Sequence, residues 1–265
     1  MSRTPVMLSI AGSDPSGGAG MQADLKTASA LDVYGATVVT ALTVQNTLGV
    51  TGIHAVPPAF IVEQYVSVVT DLDVRAVKIG MLGTVEVVEA VAGMLRDHPV
   101  PAVVVDPVMV ATSGDRLVPE DAVAAIRELL LPLATVVTPN VPEAEVLSGL
   151  SIAGEDDLET VGRALLALGP QHVLVKGGHL PGMQSVDVLV SAGGAQHFAA
   201  PRVRTPHTHG TGCTLSSAIA SYVVRGSSVP DAVAAAKSYL TRALVAGAAL
   251  DVGRGNGPVD HRVGR

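Results

Sequence analysis

The chain has 265 residues, 48% of them hydrophobic and 15% charged, with a formal net charge of −7 at pH 7. That length suits one large α/β domain or two small ones, and the composition belongs to a folded chain, not a disordered one. An acidic balance with 2% aromatics, no Trp and two Phe offers neither a basic footprint nor a stacking surface, which argues against nucleic acid as a partner.

No apolar run approaches bilayer length, and Met1–Pro5 lacks a signal-peptide core, so no membrane association is expected. A single cysteine rules out an internal disulfide framework and suits a reducing compartment, so a cytoplasmic location is expected.

Apolar, β-branched runs alternate with helical patterns along most of the chain. Strands are predicted at Val6–Ile10, Ala36–Val44, Val74–Gly80, Ala102–Asp106, Thr135–Thr138 and His172–Lys176. Between them, three- and four-residue spacings predict helices at about 20–32, 58–70, 84–97, 119–131, 142–148 and 156–168. Such alternation predicts an α/β fold with a mostly parallel central sheet covered by helices on both faces. After Lys176, Val186–Val190 and Ala195–Phe198 flank the turn Ser191–Gly194, a hairpin that extends the sheet with antiparallel edge strands. Helices at about 213–225 and 230–249 close the chain, and the Gly/Arg-rich tail from Gly253 is expected to be loosely ordered. With no linker or repeat, residues 1–265 read as one domain.

Ligands of open α/β sheets bind beyond the carboxyl ends of the strands, and polar residues gather there. The first strand runs into Ala11-Gly12-Ser13-Asp14-Pro15-Ser16-Gly17-Gly18-Ala19-Gly20, a loop whose glycines let backbone approach a small ligand, with Asp24 on the following helix as a polar contact. A literal GxGxxA at Gly18–Ala23 lies too far past the strand for a dinucleotide site, and no acidic residue follows where a ribose needs one.

Asp106 ends a strand before Pro107, where a carboxylate can hold a hydrated Mg²⁺. Asn140 and Glu143 follow the next strand; Glu143 reads either as a second metal carboxylate or as an ordinary helix-start charge. Lys176 precedes Gly177-Gly178-His179, placed to swing over a phosphate. In His209-Gly210-Thr211-Gly212-Cys213-Thr214, two glycines turn N–H groups toward one point ahead of a helix N-terminus, an anion site. Cys213 at that helix start is expected to have a lowered thiol pKa. His207, His209 and Cys213 also permit a zinc site, but no fourth Cys is available and the glycines between them suit an anion better; a cysteine hydrolase with His209 as base leaves Asp106, Asn140, Glu143 and Lys176 without a role.

Seven segments in order, AGSDPSGGAGMQADLK, TALTVQNT, VKIGML, VVDPVM, TPNVPEAE, KGGH and HGTGCTLSSAIA, make the chain resemble the ribokinase-like superfamily, and within it the bifunctional hydroxymethylpyrimidine/phosphomethylpyrimidine kinases of thiamine biosynthesis. The resemblance implies ATP- and Mg²⁺-dependent phosphorylation of 4-amino-5-hydroxymethyl-2-methylpyrimidine and then of its monophosphate. It implies a pyrimidine pocket of Gly12, Asp24, Gln45, Met81 and Val108, and a phosphate and metal side of Asp106, Asn140, Glu143, Lys176 and the loop Gly210, Thr211, Gly212, Cys213. Cys213 stands where much of the superfamily has an aspartate base. A homodimer is implied as well. Pyridoxal kinase is the nearest alternative, and a thiol hydrolase or a non-catalytic sensor are alternatives of other classes. The amide of Gln45 suits the ring nitrogen and exocyclic amine of an aminopyrimidine, an amine that pyridoxal lacks.

Overall fold

The computed structural model describes residues 4–109 and 118–264. Its main sheet has eight strands in the order β10-β9-β8-β7-β6-β5-β1-β2. These are β1 (Val6–Ala11), β2 (Tyr34–Val39), β5 (Val74–Ile79), β6 (Val103–Val105), β7 (Val136–Val137), β8 (His172–Lys176), β9 (Gln184–Ser191) and β10 (Gly194–Pro201). The six strands from β2 to β8 run parallel, and the β9–β10 hairpin adds the antiparallel edge.

Strand alternation splits the core in two. Leu8, Ile10, Val77, Ile79, Val103 and Val105 pack against α2 (Pro58–Val69), α3 (Val85–Asp97), α4 (Glu120–Ala125), α5 (Val141–Ser148) and α6 (Asp157–Leu166). Met7, Ala76, Val104 and Val136 face the other way, toward α1 (Gly20–Ala30), α7 (Thr211–Val224) and α8 (Val229–Gly247). The period-2 pattern therefore sends Ser9 and Lys78 to the α1/α7 side, along with Met7 and Ala76.

Three expectations need correction. The run Ala36–Val44 is not one strand: at Thr40 the chain leaves the main sheet, Thr40 N donating to Ala11 O and Thr40 Oγ1 to Met81 O. Beyond Thr40 the chain forms a separate antiparallel hairpin of β3 (Ala41–Asn46) and β4 (Gly49–Ala55), which residue pattern alone does not reveal. The helix at 119–131 is α only through Ala125, then widens to a π turn at Ile126–Leu130 and tightens to a 3-10 turn at Leu131–Leu133, where Pro132 supplies no N–H. The tail is packed, not loose: Val259 and His261 are buried, Tyr239 OH donates to His261 O, and residues 261–264 form a 3-10 turn.

Candidate active site

The parallel strands deliver Gly12, Gly80-Met81, Asp106, Asn140 and Lys176 to one edge of the sheet. The hairpin β3–β4, the N-terminus of α7, and α8 complete a cavity of about 720 Å³. Of the residues singled out from sequence, Gly12, Gln45, Met81, Val108, Asp106, Asn140, Glu143, Lys176, Gly210, Thr211, Gly212 and Cys213 all line it. Asp24 does not. It is fully buried beneath the floor, its carboxylate 2.9 Å from Lys78 Nζ and accepting from Ser9 and Ser217. The expectation of a ligand contact at Asp24 is thus corrected, because the alternation that turns Ser9 and Lys78 toward α1 gives its carboxylate protein partners.

Two glycines fix the walls. Gly210 has φ +79°, and a Cβ there would drive into the carbonyl oxygen of Gly18. A Cβ on Gly212 would stand 3.4 Å from both Asp106 Oδ2 and Lys176 Nζ, so its absence keeps the space beside that carboxylate clear. Gly212 and Cys213 in the first turn of α7 line the same space, while Thr211 N donates to Thr208 O at 3.3 Å.

Around it the charges are tightly balanced. Lys176 Nζ lies 2.9 Å from Asp106 Oδ1, so the lysine is tied to the carboxylate in this state and is not swinging free. The Thr138 hydroxyl also donates to Asp106, and Ser216 Oγ lies 3.2 Å from Asp106 Oδ2 while it donates to Gly212 O at 2.9 Å. Burial alone would push the Asp106 carboxyl up, but Lys176 and Lys78 outweigh it and hold it below the ordinary aspartate value. Burial pushes Glu143 up to about 7, with Lys176 opposing and Asp106 reinforcing.

Glu143 and Asn140 also form a capping box: Asn140 Oδ1 accepts from Glu143 N, and Glu143 Oε2 from Asn140 N. Glu143 thus serves as the helix-start charge and also lines the cavity. The Asn140 oxygen is committed to α5, not to a ligand.

Cys213 departs from expectation. Its thiol is pushed up, not down, to about 11, by burial first; Lys78 and the Gly20 N–H pull the other way, while Asp24 and Asp106 add to the rise. The helix N-terminus supplies partial positive charge, but desolvation and two carboxylates outweigh it.

Further polar groups in and beside the cavity find their partners only through the fold. Asp14 Oδ2 meets His209 Nε2 at 2.7 Å, and its oxygens also accept from the N–H groups of Ser16, Gly18 and Ala19. Lys78 stands between Val77 and Ile79 in an apolar strand, and a charge inside such a run was its available signal. Asp187 pairs with Lys237 at 2.6 Å and accepts from Gly177 N. Arg202 donates to the carbonyls of Gly178, Leu180, Gly182 and Gln184, holding the β8–β9 connection against the cavity.

An open α/β sheet whose strand ends carry a lysine and a carboxylate beside a glycine loop and a helix start, with a second carboxylate on α5, has the make-up of a small-molecule kinase. The family model for phosphomethylpyrimidine kinase matches residues 14–260, and the chain belongs to that family. It is 51% identical over 259 residues to a hydroxymethylpyrimidine/phosphomethylpyrimidine kinase of Rhizobium meliloti, covering 97% of each chain. It is 49% identical over 255 residues to the thiamine biosynthesis bifunctional protein ThiED of Geobacter sulfurreducens, covering 96% of this chain and about half, 52%, of that protein. Among solved structures it is similar to a Staphylococcus aureus pyridoxal kinase in complex with ADP, at TM-score 0.91 and 34% identity, covering 98% of this chain and 94% of that one. No helix among the described residues is long and apolar enough to cross a membrane.

Proposed function

We propose that the chain transfers the γ-phosphoryl group of ATP to the hydroxymethyl group of 4-amino-5-hydroxymethyl-2-methylpyrimidine, and a second phosphoryl group to the monophosphate so formed, as a step of thiamine biosynthesis. The observation that carries this reading is the convergence of Gln45, Met81 and Val108 with Cys213, Asp106 and Lys176 on one cavity.

The strand order gives the cavity a direction. Gly12 and Met81, at the ends of β1 and β5, stand with the hairpin on the pyrimidine side; Asp106 and Lys176 occupy the middle; Leu240 and Leu244 of α8 and Val203 beyond β10 offer the base of ATP an apolar wall. Thr43 Oγ1 lies 2.8 Å from Ser13 O but 3.3 Å from Gln45 Oε1, and its single proton goes to the shorter contact. The Gln45 amide is left to pair with an aminopyrimidine edge.

In the first reaction the thiolate form of Cys213 takes the proton of the substrate alcohol and becomes the thiol. The N–H groups of the Gly210–Gly212 turn and Lys176 hold the transferring phosphoryl group and offset its charge. Asp106 and Glu143 fit a hydrated Mg²⁺ arriving with ATP, since that ion takes one or two carboxylates plus waters and phosphate oxygens, and Gly212 leaves room beside Asp106. When bound, the ion neutralises phosphate charge.

The same reading treats the chain as one kinase domain acting in the cytoplasm, where a free Cys213 stays reduced. It also takes the active form as a homodimer, in keeping with the exposed apolar side chains Leu42, Val44, Leu48 and Ile53 on the hairpin; light scattering of the purified protein tests this.

Pyridoxal phosphorylation is the second reading, favoured by the backbone similarity to the Staphylococcus enzyme. Gln45→Ala tests between them. It is expected to raise the KM for the pyrimidine alcohol strongly with the KM for ATP nearly unchanged; equal effects on both, or none, remove Gln45 from the pocket.

A further inference from the structure

The end of the chain runs through the site. After α8, the sequence Gly253-Arg254-Gly255-Asn256-Gly257-Pro258 passes between the β3–β4 turn and the segment that leads into Gly210. On one side Gly255 N donates to Thr47 Oγ1 at 3.2 Å, and Asn256 N to Thr47 O at 3.0 Å. On the other, Gly257 N donates to His207 Nδ1 at 3.1 Å, and Gly257 O accepts from His209 N at 3.1 Å. Pro258 makes a parallel bridge with His209, and a Cβ on Gly18 would come within 3.1 Å of its ring. Three loops that line the cavity, those of Gly12–Gly20, Gln45 and Thr208–Cys213, thus meet on one strand of six residues.

The glycines of this segment answer to contacts. A Cβ on Gly255 would run into the Thr47 carbonyl, one on Gly253 into the Thr47 side chain, and one on Gly257 would stand 2.5 Å from the His207 ring. Gly253 also has φ +79°. Ordering a glycine-rich segment costs more backbone entropy per residue than ordering other residues, and the contacts must offset that. Both ends are pinned, by α8 before and by buried Val259 and His261 after. Asn256 itself lines the cavity.

We propose that Gly253–Pro258 is a positioning strap of the pyrimidine site: it sets the spacing between the Gln45 turn and the phosphate loop, and it tightens when pyrimidine fills the space between them. The strap makes its turn contacts at Thr47, two residues beyond Gln45, so a displaced strap misplaces the amide that reads the ring. ATP, bound mainly from the α8 side, is expected to be little affected. This inference rests on the reading of Gln45 as the pyrimidine contact.

Two variants and one exchange measurement test it. Gly255→Ala forces the strap away from the Thr47 carbonyl, and Thr47→Val removes the Oγ1 acceptor with little change of shape, a milder probe if the first variant folds poorly. Both are expected to raise the KM for the pyrimidine alcohol, Gly255→Ala by roughly tenfold or more and Thr47→Val by less, with the KM for ATP within about twofold. Hydrogen exchange of residues 253–258 in the parent is expected to slow with the pyrimidine alcohol alone, relative to residues 157–166 of α6. Parent turnover with both variants kinetically unchanged, or with both KM values rising equally, overturns the strap. A parent that turns over neither pyrimidine overturns the functional reading first. Exchange that pyrimidine leaves unchanged overturns the tightening.

Discussion

Asp14 and His209, 195 positions apart, meet at 2.7 Å and tie the glycine-rich loop after β1 to the loop that opens α7. Their side chains are 1% and 7% exposed. Although burial pushes the Asp14 carboxyl up, the hydrogen bonds from His209, Ser16 and Ala19 and the charge of His209 hold it well below the ordinary aspartate value.

A depressed carboxylate contributes stability that is present above its unfolded pKa, about 4, and is lost as the pH falls through its folded value. Asp14→Asn is therefore expected to melt well below the parent at pH 7, with the gap narrowing at pH 3. Thermal melts of both proteins at the two pH values check this; an equal gap at both would show that charge contributes nothing to the tie.

Cys213 separates the two phosphorylations. The alcohol must lose a proton, whereas the monophosphate is already an anionic nucleophile near neutral pH. Cys213→Ala is expected to slow the first reaction by roughly 10²–10⁴-fold and the second much less, while Lys176→Ala impairs both. With the thiol pushed up to about 11, the thiolate fraction keeps growing across the working range. The first rate is thus expected to climb with pH from 7 to 9 and the second to stay flatter. Steady-state rates on each substrate, measured separately, decide it; equal losses for Cys213→Ala would assign the residue to packing.

Glu143 exchanges stability for function. Its carboxyl, raised to about 7 from the ordinary 4.5, binds its proton more tightly in the folded state, so the fold loses stability as the pH rises between those values. Glu143→Gln keeps an oxygen for the Asn140 N–H and removes the buried charge. It is expected to melt above the parent at pH 8 and close to it at pH 5, and to raise the KM for Mg·ATP. A variant that binds Mg·ATP as the parent does would take Glu143 out of the metal site.

The Asp24–Lys78 pair is fully enclosed, and a buried pair costs most when only one partner is removed. Lys78→Met is expected to destabilise by about 3–5 kcal/mol, and Lys78→Met with Asp24→Asn to recover much of that. Urea unfolding of these two variants and of Asp24→Asn alone measures the coupling, and additive losses would contradict a direct pair.

Much of this molecule is legible from residue pattern. The parallel strands follow from Val- and Ile-rich runs, and their ends from the polar residue that closes each one, which is why Asp106, Asn140 and Lys176 are found on the cavity wall. The hairpin β3–β4 was hidden because Ala36–Val44 is continuously β-forming, and the break at Thr40 depends on hydrogen bonds to Ala11 and Met81 from elsewhere in the chain. The burial of Asp24 is not legible because helical spacing puts it near the glycine loop but does not reveal Lys78 opposite. The raised Cys213 thiol is not legible because the helix start is local, whereas the burial and the carboxylates of Asp24 and Asp106 that outweigh it are tertiary. The tail read as loose because glycine and arginine lack periodicity, and its partners Thr47 and His207 lie far back in the sequence.

The most direct test of the kinase reading is ADP release with Mg·ATP and, separately, hydroxymethylpyrimidine, its monophosphate, pyridoxal, pyridoxine and ribose. Turnover is expected with both pyrimidines, with kcat/KM for pyridoxal and pyridoxine lower by roughly tenfold or more, because the Gln45 amide then lacks its amine partner, and none with ribose. Preference for pyridoxal or pyridoxine, or no ADP with either pyrimidine, would contradict the account.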